Sequence, residues 1–244
     1  MAIDPKLQDW LNQFQLPDLF NQSTPDKSAP KKEWKDFVDR LRSKFYQATR
    51  AWESDAPELA QIDNIIVDGA DGPLKARVYT PYAVGIGQRP AILYFHGGGF
   101  VIGDLDGHEM ICIRLAQAAR CRVISVDYRL APEHKFPAAH LDAMAAYEWV
   151  LDKCDTLNVD PERLAVCGDS AGGNLAAFIC QETRRNHAPE PSYQLLFYPL
   201  LQFVDIKSKG LTFQEGSFLS PGFFDFCKNA YLDETADPMD VRIS

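Results

Sequence analysis

Histidine is scarce in this chain. There are five in 244 residues, and only His187 follows the most distinctive serine, Ser170. Long apolar runs are missing too: no stretch reaches the roughly 18 residues a membrane-spanning helix needs. The start, Met1-Ala2-Ile3-Asp4, lacks the basic and apolar regions of a secretory leader. These absences lead us to expect a cytoplasmic protein without stable membrane insertion. The six cysteines (Cys112, Cys121, Cys154, Cys167, Cys180, Cys227) contain no Cys-x-x-Cys pair, which argues against a zinc site or a disulfide framework and reads instead as small core residues. No block of Lys or Arg is long enough to follow a phosphate backbone, and the net charge is −9 from 25 basic and 34 acidic residues. Nucleic acid is therefore not an expected partner. No internal repeat or low-complexity tract interrupts the chain.

What the sequence does hold is a core-forming composition, 46% hydrophobic, enough for one domain with a smaller appended segment. Asp4 and Pro5 suit a helix N-cap and first position, and Leu7, Trp10, Leu11 and Phe14 recur at helical spacing. Pro25 to Lys32 reads as a linker. A second amphipathic stripe follows in Trp34, Phe37, Val38, Leu41 and Phe45, most of which dock their helix on the core. From Ile62 the pattern becomes alternating strands and helices. Strands are expected at 62–67, 74–79, 91–95, 122–126, 164–167 and 194–198, and helices at about 108–120, 139–153 and 174–187. A further helical segment is expected at 216–231. The first two strands are close enough for a hairpin, and the later crossovers demand a parallel sheet. The catalytic loops of such a sheet lie at the carboxyl ends of its strands.

Two motifs carry chemistry. Gly168-Asp169-Ser170-Ala171-Gly172 joins a short apolar strand to a helix, the setting of a nucleophile elbow. The serine stands on a sharp turn, and flanking glycines let the backbone pass. Asp169 lies inside the elbow and reads as a brace for the turn. The second motif, His96-Gly97-Gly98-Gly99-Phe100, follows a buried strand. Adjacent glycines cost backbone entropy, so their amides must approach something closely. A phosphate loop would need a Gly-x-Gly-x-x-Gly register or a Gly-Lys-Ser/Thr ending, and neither is present. An oxyanion hole for acyl transfer is the better reading, with Gly97, Gly98 and Gly99 forming the loop and Ala171 supplying the amide after the nucleophile. Gly97 also lets the loop turn. His96 reads as a support for it.

These motifs, together with Asp127-Tyr128-Arg129-Leu130-Ala131-Pro132-Glu133 and Phe136-Pro137-Ala138, resemble the hormone-sensitive-lipase-like branch of the α/β-hydrolases. Asp160-Pro161, Tyr198-Pro199 and Tyr231-Leu232 fall where that family has similar pairs, and the resemblance runs from about Ile62 to the C-terminus. It implies an α/β-hydrolase fold: a mostly parallel sheet between helices (55–244) under an N-terminal helical cap (1–54). It also implies a carboxylic-ester hydrolase that prefers short acyl chains, uses no metal or organic cofactor, and takes small ester substrates. A homodimer is compatible with it. Arg129 and Glu133, flanking a Pro-containing turn, read as a brace.

The resemblance further implies a Ser, then Asp or Glu, then His order along the chain. His187 does not fit as the base, because about 17 helical residues at roughly 1.5 Å each would separate it from Ser170 by about 25 Å. His108 begins a helix, and His134 and His140 read as surface or packing residues. Asp205 is a weak candidate acid. In the family the acid and histidine come from the last two strands, after a segment like Val241-Arg242-Ile243-Ser244. We therefore expect the catalytic Asp and His not to be in this chain, the last strands to be missing, and the 244-residue piece to be at best poorly active. Two other readings stay open at this point: a non-catalytic receptor on the same fold, and an amidase or peptidase, since the fold does not fix the leaving group.

Overall fold

The computed structural model describes residues 4–16, 24–52, 55–82, 87–203 and 218–243. Strands β1 (Gln61–Gly69) and β2 (Gly72–Thr80) form the expected hairpin. Gly69 pairs with Gly72 across a two-residue turn, and Gly72 takes a φ of 114°, a conformation open to glycine but strained for other residues. Strand β3 (Arg89–Phe95) is buried along nearly its whole length, as a strand covered on both faces must be. β4 (Arg122–Val126) and β5 (Val159–Asp169) lie parallel to it on either side, and β6 (Tyr193–Phe197) runs parallel to β5. The sheet order is β1-β2-β4-β3-β5-β6, with β2 antiparallel to β4.

Helices cover the sheet. α1 (Pro5–Phe14) starts at Asp4, whose carboxylate accepts from the Lys6 and Leu7 amides at 2.8 and 3.4 Å. It docks on α2 (Lys31–Trp52) through Trp10, whose indole N–H donates to the Ala48 carbonyl at 2.9 Å. Phe37, Val38 and Leu41 of α2 are buried. α3 (Glu109–Ala119), α4 (Ala138–Asp152) and the short α5 (Cys154–Leu157) follow, then α6 (Ala171–Arg185) and α7 (Pro221–Tyr231). Among the described residues, no helix is long and apolar enough to cross a membrane. All six cysteines are free, five buried and Cys180 half-buried.

Three boundaries differ from expectation by three residues or more. β5 begins at Val159 rather than 164, because Val159 pairs with Arg89 ahead of a register shift in the ladder. α6 begins at Ala171 rather than 174, directly after the elbow. Helix propensity marks Gly172 and Gly173 as non-helical, and their packing overrides it. α7 begins at Pro221, with the Ser220 hydroxyl accepting from the Phe223 amide at 3.2 Å, instead of at 216. Asp205, Gly216 and Ser244 lie outside the described residues.

Candidate active site

Strands β3 and β5 end side by side, Phe95 opposite Gly168, and the two glycine-rich motifs leave the sheet from those ends. Ser170 sits at the turn with φ 51° and ψ −115°, a conformation that a non-glycine residue holds only when its surroundings impose it. Those surroundings are explicit. The Ser170 amide donates to the Phe197 carbonyl at 2.9 Å, and the Ser170 carbonyl accepts from the Leu200 and Asn174 amides at 2.9 and 3.1 Å. The elbow is pressed so close to β3 that a Cβ on Gly172 would stand 1.9 Å from the Phe95 carbonyl oxygen. Ser170 occupies the N-cap position of α6, but its side chain makes no capping bond, so the hydroxyl is not committed to the helix. The positive end of the helix dipole lies behind it.

Ser170 faces a cavity of about 620 Å³ that also contains Gly98. Its walls are mostly apolar: Phe45 from α2, Ile102, Leu200, Phe218 ahead of α7, and Phe223 and Phe224 in its first turn. The aromatics of α2 thus divide their work. Trp34 and Phe37 pack on Phe226 with ring centroids 5.5 and 5.0 Å apart, while Phe45 reaches the cavity. None of the five histidines lines it.

The glycine-rich loop offers fewer free amides than its glycines suggest. Gly97 donates its amide to Asp169 Oδ1 at 2.8 Å, so this N–H is already spent and Gly97 leaves the set of oxyanion donors. Gly98 and Gly99, with φ of 118° and 62°, donate to no described residue. Asp169 does more than brace its own turn. The same Oδ1 accepts the Tyr94 hydroxyl at 2.5 Å, which ties the elbow to β3 and to the oxyanion loop at once. Burial first, and then the nearby Asp169 charge, push the Tyr94 phenol well above its ordinary range, so it stays a proton donor.

His96 is fully buried, its ring stacked on Tyr128 with centroids 4.4 Å apart. Its Nδ1 lies 2.8 Å from the Gly97 carbonyl, which only accepts, so Nδ1 carries the proton. Desolvation, reinforced by His108, lowers its pKa to about 3. A ring so placed supports the loop and is not a base for Ser170. His108 precedes α3 as expected, and His134 is exposed. His187 lies two residues past the end of α6, exposed and with φ 53°, at the far end of that helix from Ser170.

Sequence reasoning missed the buried polar networks. His140 donates from Nε2 to Asn174 Oδ1 and the Arg242 carbonyl, both at 2.9 Å, and accepts the Tyr231 hydroxyl at Nδ1 at 2.8 Å. It is a packing residue, but one that joins α4, α6, α7 and the 240–243 turn. Arg129 and Glu133 do brace the structure, though not as a pair. Arg129 grips Asp142 with two bonds at 2.8 and 2.9 Å, and Glu133 grips Arg42. Partners so far apart in sequence leave no periodic trace.

Comparison with known proteins agrees with this geometry. A family model described as alpha/beta hydrolase fold matches residues 92–244. Esterase LipI of Mycobacterium tuberculosis is 49% identical over 144 residues, which are 59% of this chain and 45% of LipI. Ethyl acetate hydrolase of Pseudomonas putida is 33% identical over 210 residues, 85% of this chain and 66% of that protein. The chain thus spans about half to two thirds of these curated relatives. An α/β hydrolase from the metagenome of Lake Arreo, Spain, superposes with a TM-score of 0.83 at 35% identity, covering 98% of this chain and 72% of the other. The ends of β3 and β5, the strained serine and the matched relatives together make the chain a member of the α/β-hydrolase family, in its hormone-sensitive-lipase-like branch.

Proposed function

We propose that the whole protein hydrolyses carboxylic esters through Ser170. The observation that carries this reading is one cavity lined both by a strained serine with an uncommitted hydroxyl and by Gly98 of the glycine-rich loop. Ser170 Oγ bonds to the ester carbonyl carbon while its proton passes to a base. The carbonyl oxygen becomes an oxyanion held by the amides of Gly98, Gly99 and Ala171. Collapse of this intermediate expels the alcohol with a proton, and water then releases the acid from the acyl-enzyme by the same route. The base and the carboxylate that orients it lie outside the described residues, as the family resemblance implies. The chemistry asks for no metal or organic cofactor.

The apolar walls suit an uncharged acyl or alcohol group. We further propose a preference for short acyl chains, supported by the relative named ethyl acetate hydrolase. The test is hydrolysis of aryl esters of increasing chain length by the whole protein, with covalent labelling by an alkyl fluorophosphonate. We expect the shortest esters to turn over fastest, amides to react far more slowly, and Ser170→Ala to abolish both turnover and labelling in a folded protein. Labelling retained at another serine would overturn the assignment.

A further inference from the structure

The backbone leaving the oxyanion loop is held from outside. Phe100 follows Gly99 with φ 64°, a left-handed conformation that costs a non-glycine residue about 1 kcal/mol or more. Its carbonyl accepts from the Ala131 amide at 2.8 Å, while the Val101 and Ile102 amides turn back onto the Gly98 carbonyl at 3.0 Å. One side chain closes this arrangement into a ring. Arg42, on α2, donates from Nε to the Val101 carbonyl and from Nη2 to the Ala131 carbonyl, both at 2.9 Å. It also meets Glu133 in a two-point fork, Nη1 to Oε1 at 2.8 Å and Nη2 to Oε2 at 2.9 Å.

Resting on the esterase reading above, we propose that Arg42 is a positioning residue for the oxyanion hole: by gripping the Val101 and Ala131 carbonyls it fixes the direction in which the Gly98 and Gly99 amides point. Geometry makes the arginine specific. A planar guanidinium presents donors in a rigid fork, so it bonds two carbonyls and a carboxylate at fixed angles. A lysine ammonium offers a point charge on a flexible stem and cannot hold all three. Arg42 also stands three residues before Phe45, on the same side of α2, and Phe45 walls the cavity. The helix that shapes the substrate chamber is therefore the helix that aims the amides, so a substrate pressing on that wall acts on the hole through one rigid rod.

The experiment compares the whole protein with Arg42→Lys, Arg42→Met and Glu133→Gln. Active sites are counted by fluorophosphonate, and turnover is measured on an aryl acetate and on its thiono analogue, which presents sulfur in place of the carbonyl oxygen. A hole set for oxygen penalises the larger, weakly accepting sulfur, so the ratio of ester to thionoester rates reads the aim of the amides and not the amount of folded protein. Arg42→Met should lower kcat by on the order of tenfold, less than the loss of a whole oxyanion donor, with KM changed less than about twofold, and should shrink the ester preference. Arg42→Lys should fall between. Glu133→Gln, which leaves the two carbonyl bonds in place, should lower kcat less than Arg42→Lys, and millimolar methylguanidinium should restore part of the Arg42→Met rate. Unchanged kcat and an unchanged rate ratio per active site in Arg42→Lys overturn the proposal, as does a loss confined to KM. If the unaltered protein neither turns over esters nor is labelled, the esterase reading itself fails and the proposal falls with it. Normal labelling in both Arg42 variants with a normal ratio removes the proposal alone.

Discussion

Gly98 has no space for a side chain and no conformation that would welcome one. A Cβ there would stand 2.1 Å from the Ile102 carbonyl oxygen, and its φ of 118° is strained for any L-residue. Gly98→Val must therefore move the loop that carries the proposed donors. Turnover should fall by roughly a hundredfold or more, as when an oxyanion donor is lost, with substrate affinity much less affected. Steady-state kinetics on an aryl acetate decide it, and turnover left intact would reassign the loop to packing. The amino-acid sequence alone marks this residue, since three consecutive glycines after a buried strand are costly unless the backbone must approach something. Gly97 is not separable from its neighbours by sequence. Its amide is spent on Asp169, 72 positions away, and only the fold brings the two together.

At the scale of elements, α7 acts as a backstop for the proposed oxyanion loop. Cys227 Sγ fills the place where a Cβ on Gly99 would lie, at 2.3 Å, and the Phe100 ring stacks on Tyr231 with centroids 4.1 Å apart. Cys227→Ala should leave a small void and cost about 1 kcal/mol by comparison with other losses of a buried heavy atom. Cys227→Leu should instead overpack the contact, costing about 1–3 kcal/mol and displacing the loop. Denaturant unfolding together with turnover per active site separates the two. We expect Cys227→Ala to keep most of its turnover and Cys227→Leu to lose most of it. Parental turnover in a stably folded Cys227→Leu would show that the helix does not bear on the loop. The elements themselves are largely readable from sequence: apolar runs flanked by turn residues mark all six strands, and amphipathic spacing marks the helices. The misplaced starts of α6 and β5 have a common cause. Propensity treats Gly172, Gly173 and Pro161 as breakers, whereas contacts across the sheet decide what they do.

For the molecule as a whole, two buried histidines should weaken the fold as the pH falls below neutrality. His96 and His140 are both fully buried, and desolvation lowers their pKa values to about 3 and about 4, the Asn174 and Arg242 acceptors only partly offsetting it at His140. In the unfolded chain each would titrate near 6.5. Above that pH both are neutral in either state and contribute no pH dependence. Below it the unfolded state takes up protons that the folded state refuses, so stability falls as pH drops. Near pH 5.5 the pair should give a loss of about 2–2.5 kcal/mol per pH unit, and His140→Asn, if folded, should remove about half of that slope. Denaturant titrations between pH 5 and 7 measure it, and a flat profile would mean that the rings are protonated in place or exposed. Sequence indicates that histidines are few but not that these two are sealed. Burial of His140 depends on Asn174, Tyr231 and Arg242, which lie 34, 91 and 102 positions away.

The carboxylate of Asp169 has one more consequence. It is bonded through the chain to Ser170, the proposed nucleophile, on one side and through a hydrogen bond to the amide of Gly97 on the other, while Tyr94 anchors it to the middle of the sheet. Thermal jostling that tilts the elbow therefore carries the neighbouring amides with it. For the proposed reaction, motion of the site would then become a common drift of attacker and receiver, and the gap between them would be the quantity least disturbed.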